Sequence, residues 1–190
     1  MRLFIAVPLP QQISDRAAAC LPLAVPALRP VRPELLHITL AFLGPVADER
    51  LVDAIEATRT AIQRDGGHPA FGLTIDHAGR FPPAGRPSVV WLGVGAGRDE
   101  LTRLAAALIR ALTDRSFVLE DRRFSPHLTL ARVRPDATGP ESRTISAAIG
   151  ALVVPELRVT VDRIAVVESR LSPAGPRYTT RAEVPLLPLL

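Results

Sequence analysis

Residues 35–44 read "LLHITLAFLG", and residues 124–133 read "FSPHLTLARV". Each stretch places a histidine and a threonine two positions apart inside an otherwise apolar run. Only four histidines occur in the chain, and two of them, His37 and His127, fall in this pattern 90 residues apart. In a strand, residues i and i+2 share a face. His37 and Thr39 are therefore expected on one face, opposite Ile38, Leu40 and Phe42, and His127 and Thr129 opposite Leu128 and Leu130. The leucine faces suit packing beneath helices. An imidazole and a hydroxyl need partners if buried. A structural role explains one such pair well, but two copies point to chemistry.

Working outward, the flanking segments repeat in order. Residues 2–9 ("RLFIAVPL") read as a strand, and 11–24 as a helix with Ile13, Ala17 and Leu21 near one face. Residues 25–33 are too proline-rich for regular structure, and the first histidine strand follows. Residues 48–67 read as a helix with Leu51, Ile55, Thr58 and Ile62 on one stripe, and 71–81 as a strand. The second half begins with a strand at 88–95. A strongly amphipathic helix at 98–114 carries Leu101, Leu104, Ala105, Leu108 and Leu112 on its apolar face. The second histidine strand, a helix at 141–149 opened by Pro140, and a strand at 157–171 come next, with a final strand at 177–186. A fused duplication explains this order. The expected fold is α+β, a single bilobal domain spanning 1–190, with repeat 1 at about 1–85 and repeat 2 at about 86–190. Each lobe carries a mainly antiparallel sheet with helices on its outer side, the C-terminal strand is free to cross back, and the cleft between the two pseudo-symmetric lobes holds the site.

Composition narrows the function. At 190 residues and 47% hydrophobic, the chain has ample core material. No apolar run reaches membrane-span length, and the N-terminal strand lacks a signal peptide's longer apolar core, so a cytoplasmic location is expected. The lone cysteine, Cys20, excludes an internal disulfide and a cysteine-rich zinc site, and reads as a small buried apolar residue. The net charge is +4, and all 23 basic residues are arginine, scattered except at "DRR" (121–123). Such a balance is compatible with an anionic substrate without specifying one.

Two imidazoles facing one cleft can act as general base and general acid in one turnover. Their ordinary pKa near 6.5 lets one be neutral and one charged around neutrality. Two threonine hydroxyls beside them can donate to the non-bridging oxygens of a phosphate. This suits in-line displacement at phosphorus, with one histidine activating water and the other protonating the departing oxygen, and neither metal nor cofactor is expected. Two histidines make an incomplete zinc site, and no G-x-S-x-G serine elbow is present. The glycines of "GVGAG" (93–97) read as a tight turn. His68, in a "GGHP" loop, and His77, in "DHAGRF", read as exposed and as structural or rim residues respectively.

Paired HxTx strands in a duplicated chain of this size resemble the two-histidine phosphoesterase superfamily, in its RNA 2′,3′-cyclic phosphodiesterase, or 2′-5′ RNA ligase-like, branch. "RLFIAVPLP", "VRPELLHITLAFLG", "GRFPPAGRPSVVWLGV", "FSPHLTLARV" and "VESRLSPAGPRY" carry the likeness over nearly the whole chain. The resemblance implies metal-independent hydrolysis of a 2′,3′-cyclic phosphate on RNA or a nucleotide to a 2′-phosphate, with 2′-5′ ligation as an activity related to the reverse reaction. It implies His37 as proton donor, His127 as proton acceptor, and Thr39 and Thr129 as phosphate holders; the residues alone leave the direction open.

Arg132, five residues after His127, is a candidate substrate contact, although strict alternation puts it on the leucine face. Phe42, its equivalent in the first motif, suits either a stacking surface or the core, and Phe124 is a candidate for base stacking at the cleft mouth. The expected partner is an RNA end or nucleotide bearing a cyclic phosphate, met by a monomer without a membrane. Two alternatives stay open: a small substrate such as ADP-ribose cyclic phosphate, and a binding module that holds RNA ends without cleaving them.

Overall fold

Apolar runs rich in valine and isoleucine become strands, and alanine-leucine stripes become helices. The computed structural model describes residues 1–21, 25–120, 123–173 and 175–188. Along them run β1 (Arg2–Pro8), α1 (Gln11–Ala19), β2 (Leu28–Pro30), β3 (His37–Pro45), α2 (Leu51–Gln63), β4 (Phe71–Phe81), β5 (Val89–Val94), α3 (Arg98–Thr113), β6 (His127–Val133), α4 (Gly139–Gly150), β7 (Leu157–Val161), β8 (Arg163–Ser172) and β9 (Gly175–Pro185). The fold is α+β. Residues 22–24, at the end of the first expected helix, and 121–122 of the "DRR" stretch lie outside the described residues.

The strands form one sheet in the order β7-β4-β5-β6-β3-β1-β8-β9, with β2 added on β6. Pairing between these strands is antiparallel. Only Asp162 separates β7, at one end of this order, from β8, next to the other end. The sheet must therefore curl to bring its ends together. Each half of the sheet draws on both halves of the sequence: β4 pairs with β5, whereas β8 and β9 return to extend β1.

The two histidine strands are neighbours at the centre. They pair at Ile38↔Leu128, the seam of the pseudo-two-fold arrangement. Both side chains are fully buried on the helix-covered face. There α3 packs on β3 and α2, α4 on β4, and α1 on β7. The five apolar residues expected on α3 are all buried.

Several local expectations need correction. The proline-rich segment contains β2, whose Arg29 pairs with Arg132; it forms because β6 offers it an open edge. On α2 the buried stripe is Ala54, Ala57, Thr58, Ala61 and Ile62, while Leu51 and Ile55 are only half-buried. Small alanines let α2 approach α3 closely, which the larger residues would prevent. Residues 157–171 break at Asp162 because β7 and β8 belong to different halves of the sheet. The last helix starts at Gly139, where Thr138 and Glu141 form a reciprocal capping box. Cys20 ends α1 half-buried, its thiol bonded to the Arg16 carbonyl.

Candidate active site

The site lies on the face of the sheet opposite the main core, at the β3–β6 seam. Strand alternation puts His37 and Thr39, and His127 and Thr129, on that face, all four half-buried. Each histidine is oriented by the backbone two residues before it. His37 Nδ1–H donates to the Leu35 carbonyl at 2.7 Å, and His127 Nδ1–H to the Ser125 carbonyl at 2.7 Å. A carbonyl can only accept, so each proton is fixed on Nδ1 and each Nε2 is left for a substrate. Among the described residues neither Nε2 has a protein hydrogen-bond partner.

Aromatic rings enclose both imidazoles. Phe4 stacks on His37 with centroids 4.8 Å apart, and Tyr178 meets it edge-on at 5.4 Å. Phe81 meets His127 edge-on at 5.0 Å, with Trp91 at 6.3 Å. Phe4, Ala6, Ala165 and Val167 form a small second core on this face, with Tyr178 against it. Burial pushes the His37 pKa below its ordinary value, opposed by the Leu35 hydrogen bond and reinforced by His127. Burial also lowers His127, against the Ser125 hydrogen bond. In both rings burial therefore favours the neutral form.

Beyond the threonines, both strands carry a β-bulge. On β3, Ile5 pairs with Ala41 and Ala6 with Thr39, so Leu40 is the extra residue. On β6, Val90 pairs with Ala131 and Trp91 with Thr129, so Leu130 is the extra one. A bulge inverts the facing of everything after it. Phe42 and Arg132 therefore come out on the histidine face, exposed, while Ala41, Leu43, Ala131 and Val133 turn into the core. This corrects the alternation that placed Phe42 and Arg132 opposite the histidines. Phe42 is 58% exposed and 6.1 Å from the Phe4 ring. Burial raises the Tyr178 pKa, and the positive charge of Arg132 acts against that rise.

A family model for the 2′-5′ RNA ligase superfamily matches residues 10–172. The chain belongs to that superfamily. An RNA 2′,3′-cyclic phosphodiesterase of Archaeoglobus fulgidus is 34% identical over 183 residues, 94% of this chain and 96% of the relative. Among solved structures, a Thermus thermophilus protein superposes with a TM-score of 0.78 at 28% identity, covering 99% of both chains. Escherichia coli LigT complexed with 3′-AMP gives 0.73 at 28% identity, covering 97% of both.

Within this superfamily member, not every candidate reaches the histidines. Phe124 is half-buried and packs on the main core. His68 lies on the far side of the molecule, half-buried beside a hollow lined by Asp65, Phe71, Arg103 and Arg110. His77 stands on β4, two strands from His127, with Gly93 paired to both. Sequence reading missed Phe4, Phe81, Trp91 and Tyr178. Four strands deliver them, and no local spacing links them to the motifs. One signal was available: the chain has eight aromatic residues, and the strands flanking both motifs carry several of them.

Proposed function

We propose that this protein hydrolyses the 2′,3′-cyclic phosphate at an RNA end to a 2′-phosphomonoester, without a metal. In this reading a water attacks phosphorus and gives its proton to His127 Nε2. The bond from phosphorus to the 3′ oxygen breaks, and His37, doubly protonated once the anionic phosphate is bound, gives its Nε2 proton to that oxygen. Thr39 and Thr129 hold the non-bridging oxygens, and Arg132 neutralises their charge. Phe42 offers an exposed ring for the terminal base. One chain supplies both histidines, so a cytoplasmic monomer suffices.

The observation that carries this reading is the matched pair of imidazoles, each anchored through Nδ1 to a backbone carbonyl and each leaving Nε2 free at the same seam. The relatives support it: the similar Archaeoglobus fulgidus protein is an RNA 2′,3′-cyclic phosphodiesterase. Phosphorus NMR of cytidine 2′,3′-cyclic phosphate with the enzyme and a chelator tests it. The expected result is one product resonance, that of cytidine 2′-phosphate. An unchanged spectrum, or the 3′-phosphate as sole product, refutes it.

A further inference from the structure

We propose that His77, held by Asp76 and Thr74, forms a subsite for the nucleotide on the 5′ side of the reacting end, reading a hydrogen-bond donor on it. The inference rests on the cyclic-phosphodiesterase reading and extends the same site along β4.

Three observations carry it. The first is register. His77 pairs with Gly93, and Gly93 pairs with His127. Directly paired residues face the same side of a sheet, so both imidazoles stand on the cleft face. Gly93 between them has no side chain, and a Cβ there would overlap the His77 ring. The ring therefore lies over β5, toward the site. Two strand spacings, about 10 Å, separate the backbones of His77 and His127. That is too far for both to serve one phosphorus atom, but within reach of a neighbouring nucleotide.

The second is preorganisation. The Ala96 amide donates to Thr74 Oγ1 at 2.9 Å, and Thr74 Oγ1–H donates to Asp76 Oδ2 at 2.7 Å. His77 Nδ1–H donates to Asp76 Oδ1 at 2.7 Å. A bulge between Ile75 and His77 brings the acid and the histidine to one side. Asp76 fills the space above Gly95, where a Cβ would overlap its carboxylate. With Nδ1–H given to Asp76, Nε2 is left to accept from a hydroxyl or amino group. The His77 side chain is 43% exposed, so a ligand can reach it. Trp91 spans the gap, 6.0 Å from His77 and 6.3 Å from His127 between ring centroids.

The third is broken symmetry. The residue paired with His37 is Pro8, where the second half has Gly93. The first half therefore has no equivalent floor for a third imidazole. Acid-base chemistry at phosphorus needs only the matched elements. An RNA strand is directional, so the unmatched elements are those able to read which way it runs.

The test is steady-state hydrolysis by the full chain of three substrates: cytidine 2′,3′-cyclic phosphate, the dinucleotide ApC ending in the same cyclic phosphate, and that dinucleotide with 2′-deoxyadenosine. His77→Ala and Asp76→Asn are expected to raise KM for the ribose dinucleotide roughly three- to tenfold, the worth of one neutral hydrogen bond, with kcat unchanged and mononucleotide kinetics within twofold. His77→Gln, which keeps an acceptor, is expected to restore part of the loss. If the donor is the 2′-hydroxyl, wild type handles the deoxy substrate as His77→Ala handles the ribose one. If it is the adenine amino group, the deoxy substrate behaves as the ribose one does, and a uridine in its place shows the loss. Equal losses on mononucleotide and dinucleotide, or unchanged dinucleotide KM in variants of an active enzyme, overturn the subsite alone. A wild type inactive on all three overturns the phosphodiesterase reading and this inference with it.

Discussion

Replacing Arg132 is expected to leave the protein at least as stable and to make it less active. The bulge at Leu130 turns Arg132 onto the histidine face, where β2 sets Arg29 directly opposite it. Both arginines are exposed, and neither has an ion-pair partner among the described residues. Directly opposed like charges destabilise a sheet by about 0.2–1 kcal/mol. Solvent screening and the freedom of two long side chains reduce this to a few tenths of a kcal/mol. Arg132→Gln removes that repulsion, so its urea midpoint is expected at or slightly above wild type. A charge-assisted hydrogen bond to substrate phosphate contributes roughly 1.5–3 kcal/mol. Losing it lowers kcat/KM for a cyclic phosphate roughly ten- to a hundredfold. Arg29→Gln relieves the same repulsion, which separates that gain from the activity loss. Urea titration read by tryptophan fluorescence, beside steady-state kinetics, checks both quantities. Two outcomes refute the reasoning: Arg132→Gln clearly less stable than wild type, or Arg132→Gln with unaltered kcat/KM.

His37→Ala and His127→Ala are each expected to lower kcat by roughly a hundred- to ten-thousandfold, the usual worth of a general acid or base. The double variant should fall little further, because the two act as a unit; single-turnover assays check this. Burial holds both imidazoles below their ordinary pKa, so the bell of kcat/KM against pH is expected on the acid side of about 6.5. The bell of kcat should sit at higher pH, since bound phosphate favours the imidazolium. The same lowering means that the unfolded chain binds more protons than the native one as pH falls through about 6.5 and past the native values. Stability is thus full above that range and lost below it, and the loss is expected to shrink in a His37→Gln, His127→Gln double variant followed by thermal melts. Leu128→Ala empties a fully buried position behind the seam. It is expected to cost about 2–5 kcal/mol in urea unfolding and to reduce kcat as the two histidine strands lose their spacing.

The sequence by itself determined the two matched histidine–threonine faces and the α+β class of the fold. His37 with Thr39 and His127 with Thr129 are local facts of strand alternation, and their repetition needs no contact map. The apolar face of α3 is equally local, because a 3.6-residue period is written into consecutive positions. Tertiary structure decided what alternation could not reach. Phe42 and Arg132 change face because Leu40 and Leu130 are each one residue too many for their neighbouring strands, and only the partner's register makes them so. Phe4, Phe81, Trp91 and Tyr178 surround the histidines because the sheet order places β1 and β9 beside one motif and β4 and β5 beside the other. His77 stands on the same face as His127 because Gly93 pairs with both, a placement no spacing in the sequence gives. The chain encodes the faces of its strands residue by residue, but which face meets which neighbour depends on pairings between residues far apart along it.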